Sequence, residues 1–579
     1  MTSSEEPSSL RRRSAALLDR AGLRQPMRRA LMRLLDAVGA EDDWLHLSVE
    51  ELAARVIARS ANTLDELPSL RPGHRVLIFS GRNVVNTHWL NDGMLAWALR
   101  LRGADARIIL CDEALSCCEL ATLNHYDEDD AILTREKPVT CVKCYQPASC
   151  FLEAFQLPVH RYGEFVGPGV RERARAFVSS LSRQQLAQAC YRGVDIGEHA
   201  TSTACRVLLR GTLDFDDPFT EATLRRLLEN AVVMVEASQG ALAHFDPEHV
   251  VAHHGIYLTG GIPAACARQR GAHVVTWSVI YRKHCTLWSH DDTYHRTVAL
   301  EPNDAWATRP LDSVQARRLD DYLETHWKPG GSDWISYNRD HSGDSAGIAK
   351  ELGLDGSHPV AAIFTNIQWD AKIWYTGIAF EDHRDWLLST VRYALDRPDV
   401  QWVIRAHPAE MTHSVGPARE KVAEVIRTRF PDLPDHIRIV GSDNSMSSYA
   451  LMELLDVAIV YGTTLGTEMA VKGIPVVVAG DAWYRGKGFT LDPIGASDYF
   501  AMLDQIGNGL SRLSAGEVEL ARRYAYHLVF RRMIPFPMLR GEPGVHHVRR
   551  LDDLRPGRNL ELDVICDGVL QRRPFAAPT

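Results

Sequence analysis

Between Pro359 and Gly480 short apolar runs alternate with longer amphipathic ones, and no other feature constrains the chain as much. PVAAIFTN, QWVIRAHP, HIRIVG, VAIVYG and IPVVVAG are rich in β-branched residues and bounded by Gly, Pro or Asn, as strands buried on both faces are. HRDWLLSTVRYALDR, AREKVAEVIRTRF, SYALMELLD and TLGTEMAVKG lie between them with apolar residues at helical spacing. Strands joined through helices pair in parallel, so this alternation predicts one sheet of five strands with four intervening helices.

A looser series precedes it. HRVLIFSGR reads as a buried strand, NDGMLAWALRLRG as a helix closed by Gly103, and ARIILCD as the next strand. A Cys-rich stretch then interrupts the alternation. It resumes with a helix near 221–240, the strand HVVAHHG, a helix near 262–270 and the strand HVVTWSVI. Residues 300–350, with the turn PGGSDW, read as the inter-domain connection. Residues 8–60 read as helices, with Leu31, Leu34, Leu35 and Val38 on one face. The expected architecture is α/β: two Rossmann-like doubly wound domains in series, with a helical extension at 1–66. The first domain spans 67–345 with a Cys-rich insertion at about 111–150, the second 346–515, and a helix and tail occupy 516–579.

A net charge of -9 offers no global attraction to nucleic acid, so an anionic ligand must be met by local groups. No stretch reaches the ~18 apolar residues of a membrane span, and the first residues lack the apolar core of a secretory signal. The expected location is the cytoplasm, with peripheral contact at the inner face of the membrane left open by AYHLVFRRMIPFPMLRG, which carries Arg531, Arg532 and Arg540. The reading preferred for that stretch is a closing helix packed back across the two halves.

Ligands of open parallel sheets bind outside the carboxyl ends of the strands. QWVIRAHP delivers Arg405, His407 and Glu410 to such an end, and Pro408 turns the chain so that His407 points outward. One strand on, Gly462-Thr463-Thr464 leads directly into a helix, where backbone N–H groups, the helix dipole and two hydroxyls favour an anion. Glu468 lies four residues past Thr464 on the same face, placed to accept from a sugar hydroxyl. Each motif has a bland counterpart: a His-Pro turn, an N-cap threonine and a first-turn acid.

IRAHPAE, YGTTLGTE, AGDAWYRGKGFT and TNIQWDA together resemble the signature segments of the bacterial capsule polysaccharide biosynthesis proteins, which include the Kdo transferases. The resemblance covers about 150 residues well and the preceding half only loosely. It implies a GT-B glycosyltransferase that moves a sugar from a CMP- or UDP-linked donor to a glycan or glycolipid acceptor. It places His407 by the donor phosphate or base, Thr463 and Thr464 by the phosphate, and Glu468 by a hydroxyl. Arg485 and Lys487 would add cationic contacts, or lie in a solvated loop. Three other readings stay open: polyol-phosphate transfer from a CDP-polyol, a nucleotide-sugar 2-epimerase, and a non-catalytic nucleotide-binding scaffold.

An inverting transfer needs a general base for the acceptor hydroxyl. Asp92 and His254, at or just beyond strand ends of the first half, are the candidates; a helix cap and a structural histidine are the alternatives. No metal-binding Asp pair stands at a strand end, since Asp291-Asp292 and the acidic run at 127–130 read as solvated loops, so no catalytic metal is expected. Cys141 and Cys144 have the spacing that lets two thiolates share one tetrahedral zinc, with Cys111 and Cys117 or Cys118 upstream. Structural zinc, an iron–sulfur cluster and free thiols all remain open.

Overall fold

The computed structural model describes residues 47–81, 87–120, 133, 141–327, 344–371, 378–413, 415–539 and 547–578. The helix pattern at 8–46 and the acidic run at 127–130 lie outside them.

The later half is the sheet its alternation predicts. β7 (Val360–Phe364), β8 (Gln401–Arg405), β9 (Ile437–Val440), β10 (Val457–Val460) and β11 (Val476–Val478) pair in parallel in the order β11-β10-β7-β8-β9. Side chains alternate across it. Ala362, Val403 and Ala458 face one apolar cluster, while Ile363, Ile404 and Ile459 face another with Trp386 and Trp402.

The first half repeats the order. β1 (Arg75–Ser80), β2 (Asp105–Leu110), β3 (Val159–Arg161), β4 (His249–His253) and β5 (His273–Val279) run parallel as β5-β4-β1-β2-β3. Two antiparallel strands extend this sheet, β6 (Cys285–His290) and β12 (Ile534–Pro535). In each sheet the chain adds strands to one side of its first strand and then to the other. The order therefore reverses between β1 and β4 and between β7 and β10, and at such a reversal adjacent crossovers diverge and leave a crevice at the carboxyl ends.

Three boundaries differ from the sequence reading. The Cys-rich stretch does not break the sheet, because β3 pairs with β2 beyond it and the helix Cys141–Ala154 buries Phe151 and Leu152 in the first core, with Phe155 just past its end. The helix Val49–Ala58, started by a Ser48/Glu51 capping box, puts Leu52 and Val56 into that core. The chain end does likewise: β12 pairs with β6, and Leu551, Leu562, Ile565 and Phe575 pack with Trp97 and Trp277. Residues 534–578 thus belong to the first domain. The helix Ala515–Tyr526 lies on the second domain, and the stretch expected to form a closing helix follows it as the π-helical turn His527–Arg532 and then β12, which lead back to the first domain. Among the described residues no helix is long and apolar enough to cross a membrane.

Candidate active site

The segment Thr365–Ala371 leaves β7 at the reversal point of the second sheet and touches every part of the crevice. The Thr365 hydroxyl accepts from the His407 backbone N–H at 3.2 Å, and Asn366 Oδ1 accepts from the Gly462 N–H at 3.2 Å. Gln368 packs on Gly211 of the first half, where a Cβ would come within 2.4 Å of the Gln368 Cβ. Asp370 crosses the gap. Its Oδ1 accepts from Arg206 Nη1 at 2.6 Å and from the Tyr257 hydroxyl at 2.7 Å, and that hydroxyl accepts from the Ala371 N–H at 2.9 Å. Burial works to raise Asp370, but the Arg206 guanidinium outweighs it, with help from His413, Tyr257 and His254, and holds the carboxyl well below its usual range.

The facing groups come from the reversal point of the first sheet. His254 follows β4 in the left-handed region (φ 64°), and its Nε2 lies 3.4 Å from the Tyr294 hydroxyl. The helix Leu258–Gln269 begins at once because residue 260 is glycine: a Cβ there would sit 1.9 Å from the His253 carbonyl oxygen. His295 Nδ1 accepts from Trp483 Nε1 of the second half at 3.3 Å, and burial pushes its pKa down to about 3.

On the donor side the expected residues separate into two groups. His407, Thr463 and Thr464 sit half-buried on adjoining strand ends. His407 Nδ1 accepts from the Ala409 N–H at 3.1 Å, and burial, then Arg405 and His413, push the ring down to about 4. The ring is therefore neutral at pH 7 with its proton on Nε2. Thr464 begins the helix Leu465–Val471 without a side-chain cap bond, so the expected N-cap alternative is not how its hydroxyl is used. The N–H groups of Thr463 and Thr464 make no hydrogen bond among the described residues. Glu468 is half-buried one turn along.

The second group does not reach the crevice. Arg405 is 2% exposed and donates to the carbonyls of Gly441 at 2.6 Å, Met446 at 3.1 Å and Asn444 at 3.2 Å. Burial pushes it down to about 10. Glu410 is buried and accepts from the Val422 N–H at 3.2 Å, and burial raises it to about 7. Arg485 donates to the carbonyls of Val478 and Pro493, and the Lys487 ammonium to the carbonyl of Glu301. These four hold loops in place. Arg531 donates to Ala305 O and Arg532 to Phe575 O and Trp288 O, so both bind backbone carbonyls of the protein; Arg540 lies outside the described residues.

Asp92 is enclosed beside Ser80 at the carboxyl end of β1. It is 2% exposed inside the helix Thr87–Arg100, and burial raises its carboxyl to about 7 against the pull of Ser80 and Trp277. Sequence reasoning passed over Arg206, Tyr257, His295 and Asp370. Asp370 lay within TNIQWDA, and a polar residue so soon after the first strand of a sheet is the signal that pointed to it.

Among the described residues none of the four expected metal ligands is joined in a disulfide. Burial raises Cys111 well above the ordinary thiol range, and Cys144 and Cys141 add to it; burial and Glu119 do the same for Cys118, with a smaller push from Cys141. The four thus gather in one region, yet among the described residues no three His, Cys, Asp or Glu side chains are spaced to hold a metal ion.

No protein-family model matches the chain, and no curated protein matches it. Among solved structures it is similar to KpsC, a beta Kdo 2,4 transferase of Thermosulfurimonas dismutans, at 13% identity and TM-score 0.30 over 47% of this chain and 78% of that one. It is also similar to UDP-GlcNAc 2-epimerase of Neisseria meningitidis bound to UDP-GlcNAc, at 10% and 0.22 over 86% and 100%. Spinosyn rhamnosyltransferase SpnG matches at 13% and 0.23 over 78% and 95%. At such scores the likeness adds no weight, and the fold rests on the strand orders themselves.

Proposed function

We propose that the protein is a GT-B-type glycosyltransferase of surface polysaccharide synthesis, taking a CMP- or UDP-linked sugar to a glycan or glycolipid acceptor. The observation that carries this reading is the segment Thr365–Ala371, which binds the His407 and Gly462 strand ends at one end and the first half's Arg206 and Tyr257 at the other. A donor held on the second sheet thereby faces groups from the first.

Transfer places negative charge on the leaving phosphate. In this reading the Thr463 and Thr464 N–H groups, the Thr464 hydroxyl and the neutral His407 Nε2–H donate to it from fixed positions. Glu468 accepts from a hydroxyl of the donor. His254 takes the proton of the acceptor hydroxyl, in preference to the enclosed Asp92. No divalent cation is assigned a step. A structural zinc or iron–sulfur cluster on Cys111, Cys118, Cys141 and Cys144 is a separate proposal, which requires those thiols to draw closer than the structure holds them. A folded, metal-free sample on elemental analysis overturns it.

Calorimetric titration with CMP, CDP, UDP and GDP tests the donor site. One of the four should bind, and His407→Ala should weaken it about tenfold or more while leaving the melting temperature near that of the parent. Binding of none of them overturns the reading.

A further inference from the structure

Arg206 is built to receive an oxyanion, and its present partner fills it only in part. It projects from the helix Ile196–Leu208, is 5% exposed, and lies between one aromatic ring from each half, Tyr257 at 5.1 Å and Trp369 at 5.7 Å. Its planar fork of five N–H donors matches two oxygens of a carboxylate or phosphate. Asp370 meets it through one oxygen on Nη1, while the buried Nε has no hydrogen-bond partner among the described residues. An unmet donor on a buried guanidinium costs stability, so its retention calls for a use.

The two partners are unequal. The Arg206 side chain is 6% exposed and the Asp370 side chain 38%. The cation is fixed by the rings on either side and by the Tyr257 hydroxyl, which accepts from its Nη1 at 3.3 Å, while the carboxylate is the more exposed partner. The Tyr257 hydroxyl, which bonds both Asp370 and the Ala371 N–H, keeps the segment in place when the carboxylate turns away.

We propose that Asp370 stands in at Arg206 for the phosphate of the nucleotide donor, so that the cleft is loaded by exchange: phosphate oxygens take the guanidinium and the Asp370 carboxylate turns out to solvent. This rests on the nucleotide-donor reading for the source of the phosphate. It explains how a site with Arg405, Lys487 and Arg485 all committed elsewhere meets a dianionic group with a full positive charge. It also gives the closed cleft a default state: empty, the two halves are joined by Asp370 on Arg206; loaded, by the donor on the same cation.

The test is a double-mutant cycle in the full-length protein, titrating the nucleoside diphosphate that the parent binds and, separately, inorganic pyrophosphate. Asp370→Asn removes the competing charge and should tighten both ligands about tenfold. Arg206→Gln should weaken both about tenfold or more, and in that background Asp370→Asn should gain nothing. The Asp370→Asn change lies on the more exposed partner, so it remains informative should Arg206→Gln fold poorly. Unchanged or weaker binding in Asp370→Asn overturns the exchange, as does full affinity in a folded Arg206→Gln. A parent that binds pyrophosphate, with the Asp370→Asn gain, but no nucleotide keeps the exchange and removes the donor reading instead.

Discussion

Arg405 and His407 are two residues apart, and the sequence offered both to the same phosphate. The structure divides them because the strand ends at Arg405: its side chain runs into the domain beneath the 441–446 loop, whereas His407 lies past the strand in the turn and does not follow the strand's register. Residue type does not reveal this, since carbonyl oxygens and phosphate oxygens satisfy a guanidinium equally well. The two positions therefore make opposite predictions. Arg405→Ala removes the donor from one buried and two half-buried carbonyls and should cost about 3 kcal/mol, read as a lowered urea midpoint. Its folded fraction should bind nucleotide nearly as the parent does. His407→Ala should show the reverse, a small stability change with a large loss of affinity.

Most strands of the parallel sheets were legible because buried strands announce themselves as apolar runs; the three-residue β3 was not, and neither were β6 and β12. CTLWSH has the polarity of a loop, and Ile534–Pro535 is too short to show a period. What β4, β5 and β6 bring together was hidden as well: His249 Nδ1 meets His273 Nδ1 at 2.9 Å, and His273 Nε2 meets His290 Nδ1 at 2.9 Å. The row ends on the carbonyls of Gly73 at 3.1 Å and Arg573 at 2.8 Å. Burial lowers all three, His273 to about 4, where His249, Arg572 and His290 add to it and Asp291 opposes. Imidazoles whose folded pKa lies below the unfolded value near 6.5 disfavour the fold once protonated. Their contribution is intact above that value and is lost as pH falls through 6.5 toward 4. The urea midpoint should drop across this window, and His273→Gln, which bonds without titrating there, should flatten the drop. An unaltered slope in that variant would remove the row from the acid sensitivity.

At the scale of the whole molecule the chain is tied to itself twice, and the second tie was the least legible part. Periodicity in LELDVICDGVLQ shows a helix but cannot say which core receives it, because any apolar stripe will bury against any other. Here Leu562, Ile565, Cys566 and Val569 close the core that begins with Leu52 and Val56, some five hundred residues earlier. A charge knot fixes the crossing. Glu301, in the connection between domains, accepts from Lys487 of the second domain through its carbonyl and pairs with His527 at 3.1 Å and Arg532 at 3.2 Å on the returning segment. The turn at His527–Arg532 is wound as a π-helix, a form that is rare outside sites with a use. The consequence is that residues 67–345 lack part of their own core. Ile565→Ala should therefore behave as a central substitution, costing about 2–5 kcal/mol, and should act on the first domain, which holds Trp97, Trp277 and Trp288. Urea unfolding followed by tryptophan fluorescence checks this. A tail merely appended to a finished domain would lose under about 0.5 kcal/mol, as surface substitutions do, and that result would return residues 534–578 to the role the sequence first suggested.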